Sequence, residues 1–185
     1  FEQASVEQIV HQRLIERGET LSVAESCTGG GIASKFTAQA GASQYFLCGV
    51  VSYSNESKCN VLGVDAEAIK SYGAVSEAVA CQMAEGVRRI SGATYGVSTT
   101  GIAGPTGGSP EKPVGTVWVA VATPTHTIAK LFQHGKVRAV NIERAATAAI
   151  NLLRLELKIE NCKLWCSLLF TGIFFDTREQ EGEGG

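Results

Sequence analysis

The chain has 185 residues and a formal net charge of −2, which bounds one ordinary domain and leaves no basic stripe for nucleic acid. Hydrophobic residues make up 44% and charged residues 18%, with 21 glycines, the balance of a well-buried sheet with many tight turns. Its six cysteines (Cys27, Cys48, Cys59, Cys81, Cys162, Cys166) form no C-x-x-C pair and no histidine cluster at metal-ligand spacing, so a disulfide framework or a zinc site is disfavoured. They read as small buried hydrophobes in a reducing intracellular compartment.

Ser5 with Gln8 forms a capping-box pattern, and Val6, Ile9, Val10 and Leu14 recur at helical spacing until Gly18, which predicts a helix over Ser5–Arg17. Leu21–Ala24 reads as a strand that breaks into Glu25-Ser26-Cys27-Thr28-Gly29-Gly30-Gly31. A helix follows over Ile32–Ala40, ended by Gly41. Phe46–Ser52 is a second strand, emptying into the polar cluster Tyr53–Lys58. Two short helical pieces, Cys59–Gly63 and Asp65–Tyr72, come next, then a helix capped by Ser76 and running to Ser91.

Tyr95–Thr99 is a third strand. After it, Gly101–Pro113 holds three of the four prolines and four glycines in 13 residues, the composition of a binding loop or lid. Val114–Ala122 and Thr127–Phe132 read as a strand hairpin, and Arg138–Lys158 as one long closing helix. Helices alternating with strands, plus a hairpin, predict an α/β fold, a three-layer α/β/α sandwich with a mixed sheet. Residues 1–160 form the domain, and residues 161–185 a divergent tail. In that tail, Leu164–Phe175 is apolar but shorter than the ~20 residues of a membrane span, so it is expected to pack on the core or a partner. A homo-oligomer stays open. Asp176–Gly185 is acidic, glycine-rich and expected to be disordered. The chain opens on Phe1 and its one methionine is Met83, which reads as a processed chain or a fragment.

The glycine turn after the first strand suits a phosphate or a developing oxyanion, because backbone N–H groups and a helix dipole converge there. A turn with no chemistry is the equal alternative. No G-x-x-x-x-G-K-[ST] is present, Ser34 stands where a dinucleotide fingerprint needs its third glycine, and Ser26 lacks the G-x-S-x-G elbow. His11, His126 and His134 all read as surface residues. A nucleophile at Ser26 then needs a base other than histidine, and Lys58 lies beside it if the first two strands are neighbours. Tyr53 would hand protons between the two or orient the lysine. Thr99-Thr100-Gly101 ends a third strand on the same edge, where open α/β sheets bind ligands.

The segments A-E-S-C-T-G-G (24–30), G-V-V-S-Y-S-N-E-S-K (49–58), G-A-V-S (73–76) and T-G-I-A-G-P-T-G-G-S-P-E-K-P-V-G-T-V-W (100–118) resemble the CinA C-terminal family, the nicotinamide-nucleotide amidases. The resemblance runs from Val6 to Leu157. It implies a three-layer α/β/α domain that deamidates nicotinamide mononucleotide to nicotinate mononucleotide and ammonia, a step of pyridine-nucleotide salvage, with no metal or other cofactor. It implies Ser26 as nucleophile, Lys58 as base, Tyr53 and Thr100 as supporting groups, and Thr28, Gly29 and Gly30 as substrate-binding residues, with Gly101 at the third strand end. To these we add the backbone N–H groups of Cys27 and Gly29–Gly31 as donors to an oxyanion or phosphate. Arg144 is added as a bidentate phosphate contact, with a solvated helix charge as its alternative. The expected partner is a small nucleotide substrate, without nucleic acid or membrane, and the competing class is a non-catalytic nucleotide-binding or regulatory module.

Overall fold

The computed structural model describes residues 4–158. Helix α1 (Val6–Arg17) starts with the reciprocal Ser5–Gln8 capping box and stops at Gly18, whose φ of 61° lets the chain turn off the helix. Strand β1 (Leu21–Glu25) is buried along its whole length and leads into α2 (Gly31–Thr37). This helix is shorter than its apolar pattern suggests, because a 3-10 turn at Ala42–Gln44, opened by Gly41, carries the chain into β2 (Phe46–Val51). Ser54, Asp65 and Ser76 then cap three helices through their side chains: α3 (Asn55–Leu62), α4 (Ala66–Tyr72) and α5 (Glu77–Ser91).

Strand β3 (Tyr95–Gly101) runs two residues past the expected end, because Thr100 and Gly101 pair with Trp118 and Val117 of β4 (Thr116–Ala122). Val114 and Gly115 fall outside β4. They belong to a tight turn in which the Thr116 N–H donates to the Pro113 carbonyl and Gly115 has a φ of 92°. Strand β5 (Thr127–Gln133) completes the hairpin, and α6 (Arg138–Glu156) closes the domain. The expected apolar segment 164–175 and the acidic end 176–185 lie outside the described residues.

The five strands form one mixed sheet in the order β2-β1-β3-β4-β5. β1 is parallel to both β2 and β3, whereas β3–β4 and β4–β5 are antiparallel. Helices cover both faces, which makes three layers. Leu21 and Val23 pack under Val10 and Leu14 of α1, Phe36 of α2 and Ile150 and Leu153 of α6. On the other face Ala24 meets Val79, Met83 and Val87 of α5 with Leu62 of α3. Small residues bring α5 close to the sheet. Ala80 and Ala84 rest on Ala120 and Ala122, and a Cβ at Gly96 would overlap the Ala84 carbonyl oxygen.

The parallel trio gathers three strand ends in one place. With β2, β1 and β3 pointing the same way, Val51, Glu25 and Thr99 stand side by side in register, and their continuations emerge on one edge of the sheet.

Candidate active site

Ser26 is the first residue beyond β1 and is kept on that edge by both neighbours. Its N–H donates to the Thr99 carbonyl at 3.0 Å, while the Ser52 N–H donates to the Glu25 carbonyl at 2.9 Å. Lys58 comes from the first turns of α3, directly after β2, and its side chain folds back into the domain with 1% exposure. A lysine this early in a helix is ordinarily solvated; here the short β2–α3 connection aims it inward. Its Nζ lies 3.1 Å from Ser26 Oγ, 2.8 Å from the Ser52 carbonyl oxygen and 3.4 Å from the Tyr53 carbonyl oxygen.

Burial pushes the Lys58 pKa below its ordinary value, since the ammonium has lost water and gained no carboxylate in exchange. Thiolates at Cys27 or Cys59 would push it back up, but burial raises the Cys27 thiol to about 12, so Cys27 is uncharged at neutral pH. The same shift removes Cys27 as a competing nucleophile. A neutral Lys58 satisfies all three neighbours. In that form its two N–H bonds would donate to the carbonyls of Ser52 and Tyr53 and leave the lone pair for the Ser26 hydroxyl; the ammonium would donate to all three.

In front of this pair is a cavity of about 220 Å³. Ser26, Cys27 and Lys58 form its floor, Tyr53 and Asn55 one wall, Ala74 and Val75 another, and Thr100, Gly101, Ala103 and Arg138 the third. Among the described residues its charged lining side chains are Lys58 and Arg138, with no carboxylate. Of the described residues, no group of three or more His, Cys, Asp or Glu side chains is placed to hold a metal ion.

The expected residues divide. Ser26, Lys58, Tyr53, Thr100, Cys27 and Gly101 meet at the cavity. Tyr53 serves the lysine through its backbone carbonyl; its hydroxyl, on a side chain 62% exposed at the mouth, accepts from Arg138 Nη2 at 3.1 Å. The Thr100 hydroxyl donates to the Ala74 carbonyl at 2.7 Å and so ties two walls together. Thr28, Gly29 and Gly30 are not on the cavity wall, and the Thr28 hydroxyl is paired with Thr99.

Two expectations need correcting. The amides of Gly29–Gly31 are not open donors, because Gly29 donates to the Ser26 carbonyl, Gly31 to the Thr28 carbonyl and Gly30 to the Glu25 carboxylate. Arg144 lies in a separate hollow with Val6 and Asn151. It follows Arg138 by six positions on α6, which at about 100° per residue turns it some 240° round the helix axis. Arg138 is the arginine at the mouth, where its Nη1 also donates to the Gly104 carbonyl at 2.9 Å. Its signal in the sequence is its place in the first turn of the closing helix. Beside it the buried Asn141 side chain donates to the carbonyls of Ala103 and Gly135, anchoring the start of the Gly101–Pro113 loop. None of the three histidines lines the cavity.

These features define a class: a three-layer α/β domain carrying a buried serine–lysine pair at the carboxyl ends of parallel strands. Residues 3–157 match the family model described as the CinA C-terminal domain. The chain belongs to that family. It is 50% identical over 155 residues to a CinA-like protein of Salinibacter ruber, covering 84% of this chain and 38% of the relative. A CinA-like protein of Anaeromyxobacter dehalogenans is 52% identical over 152 residues, 81% of this chain and 37% of its own length. The chain thus spans under two fifths of these curated relatives. Among solved structures it is similar to a CinA superfamily protein of Klebsiella pneumoniae, with a TM-score of 0.80 and 35% identity over 83% of this chain and 96% of the other. The competence/damage inducible protein CihA of Agrobacterium tumefaciens has a TM-score of 0.77 and 36% identity over 85% and 98%.

Proposed function

We propose that the chain is an amidohydrolase with Ser26 as nucleophile and Lys58 as general base, and that its substrate is nicotinamide mononucleotide. The observation that carries this reading is the solvation of Lys58: a buried amine with two carbonyl acceptors and a serine hydroxyl, and no carboxylate to hold it charged. With its pKa lowered by burial, such an amine is free to take a proton over a lower pH range than an exposed lysine at about 10.4.

Ser26 Oγ attacks the carboxamide carbon as its proton passes to Lys58 Nζ. Collapse of the tetrahedral intermediate breaks the C–N bond, and Lys58 returns the proton to the departing ammonia. Water then attacks the Ser26 ester with Lys58 again as base, giving the carboxylate and free serine. Arg138, among the described residues the one lining cation outside this proton relay, favours an anionic group on the substrate at the mouth, as a nucleotide phosphate supplies. The family membership supports the reading.

The test is ammonia release from nicotinamide mononucleotide by the purified chain, against Ser26→Ala and Lys58→Ala. Loss of turnover in both variants is expected. A wild-type chain that binds the nucleotide without releasing ammonia favours the binding-module alternative, and full activity in Ser26→Ala ends the nucleophile assignment.

A further inference from the structure

Neither half of the proposed reaction uses Glu25, the buried carboxylate next to Ser26. Alternation along β1 puts Leu21, Val23 and Glu25 on the face covered by α1, α2 and α6, while Ser26 turns to the opposite side, toward Lys58. Glu25 is 1% exposed. Its Oε2 accepts from the N–H groups of Gly30 at 3.0 Å and Ile32 at 3.1 Å, and its Oε1 from Ala33 at 2.8 Å. No ion pair to it forms among the described residues. Its charge is met by the amides of the first turn of α2, the arrangement that makes burying a carboxylate tolerable.

Six of the eight amides from Ser26 to Ala33 then have acceptors. Those of Ser26, Gly29 and Gly31 donate to the carbonyls of Thr99, Ser26 and Thr28, and those of Gly30, Ile32 and Ala33 to Glu25. Cys27 and Thr28 are left, with no acceptor on another residue for either N–H among the described residues; the Cys27 N–H lies against its own thiol. They are the two central residues of the turn closed by Gly29 N–H to Ser26 C=O, whose amides project outward from the ring, and successive outward amides form an anion-binding concavity. Cys27 lines the cavity beside Ser26.

We propose that Glu25 is the positioning residue of this turn: by fixing the amides behind it, the carboxylate presents the Cys27 N–H group, at the cavity beside Ser26, as the donor to the oxyanion formed at Ser26. This rests on Ser26 being a nucleophile, whatever amide it attacks. Glu25→Gln keeps the side chain's shape but turns an NH2 toward at least one backbone N–H, so the turn must shift. Cys27→Pro removes that donor outright, at a turn position whose φ is already negative.

The experiment measures ammonia release from nicotinamide mononucleotide, and phosphonylation of Ser26 by a fluorophosphonate followed by mass spectrometry, in wild type, Glu25→Gln, Cys27→Pro and the double variant. Each single variant should lower kcat about 100-fold with KM within about threefold, slow the labelling by about the same factor, and lose little more when combined. Folded Glu25→Gln with wild-type kcat and labelling overturns the proposal, leaving Glu25 a structural cap. If Glu25→Gln does not fold, Cys27→Pro decides: wild-type rates there overturn it equally. Wild type that takes the label but releases no ammonia sinks the substrate assignment alone, because the labelling ratios still read the role of Glu25. Wild type that does neither overturns both.

Discussion

Lys58→Met separates the two properties that the proposed mechanism assigns to the buried amine. As a base it should be worth about 10²–10⁴ in kcat, or roughly 3–5 kcal/mol of barrier. As a lysine buried to 1% exposure with a lowered pKa, it should also leave a mark on stability. An unfolded lysine titrates near 10.4. Between the lowered folded value and that point the unfolded chain holds a proton that the folded chain does not, so wild-type stability rises with pH across the window, by up to about 1.4 kcal/mol per pH unit. The methionine variant carries no such proton. It does leave the carbonyls of Ser52 and Tyr53 and the Ser26 hydroxyl without their partner, a penalty on the order of 1–3 kcal/mol per buried group that does not change with pH. Urea unfolding of both proteins at steps from about pH 6.5 to about pH 10 should show wild type gaining on the variant as pH rises through the window. A stability difference flat across the whole range would mean that Lys58 keeps an ordinary pKa and is charged in the fold. The neutral-base mechanism would then fail even if the variant were inactive.

Arg138→Gln should raise KM for nicotinamide mononucleotide about tenfold with little change in kcat, since it removes the charge at the cavity mouth proposed to meet the nucleotide phosphate; Arg144→Gln, in its separate hollow, should shift KM less than about twofold. Native-state treatment with iodoacetamide near pH 8 should leave Cys27 unmodified by peptide mass spectrometry, because its thiol is buried and raised to about 12. Gly96→Ala should cost about 1–3 kcal/mol through the clash with the Ala84 carbonyl, lowering the thermal midpoint by about 2–4 °C for each kcal/mol in a chain of this length.

The order of elements was legible because caps and stops are local. Ser5, Asp65 and Ser76 open helices where expected, and Gly18, Gly63 and Gly73 end them, all within a few residues of the groups they serve; Ser54 opens α3 at Asn55, four residues before the expected Cys59, because the polar cluster after β2 reads as a loop until its cap is seen. The meeting of Ser26 with Lys58 was legible only through the supposition that β1 and β2 are neighbours, which is what the register shows. Side-chain destinations across the fold were not. Whether an arginine of the closing helix faces the cavity depends on the rotation of α6 against the sheet, so Arg144 was as plausible as Arg138. The glycine turn looked like an anion cradle because its amides were counted without their acceptors. The acceptor, Glu25, was in plain view beside the serine, but nothing in a sequence tells a carboxylate that folds back onto its own chain from one that faces water.

The serine and lysine both lie between residues 26 and 58, on two adjacent parallel strands and the connections that leave them. The far wall comes from elsewhere: Thr100 and Ala103 from the end of β3 and beyond, Arg138 from α6. In the proposed mechanism, bond-breaking and molecular choice are therefore carried on separate stretches of chain. Substitutions in the 102–115 connection or the first turn of α6 can change which amide is admitted while the pair stays as it is. Relatives that share the first stretch and differ in the second would be expected to share a reaction and divide its substrates among themselves.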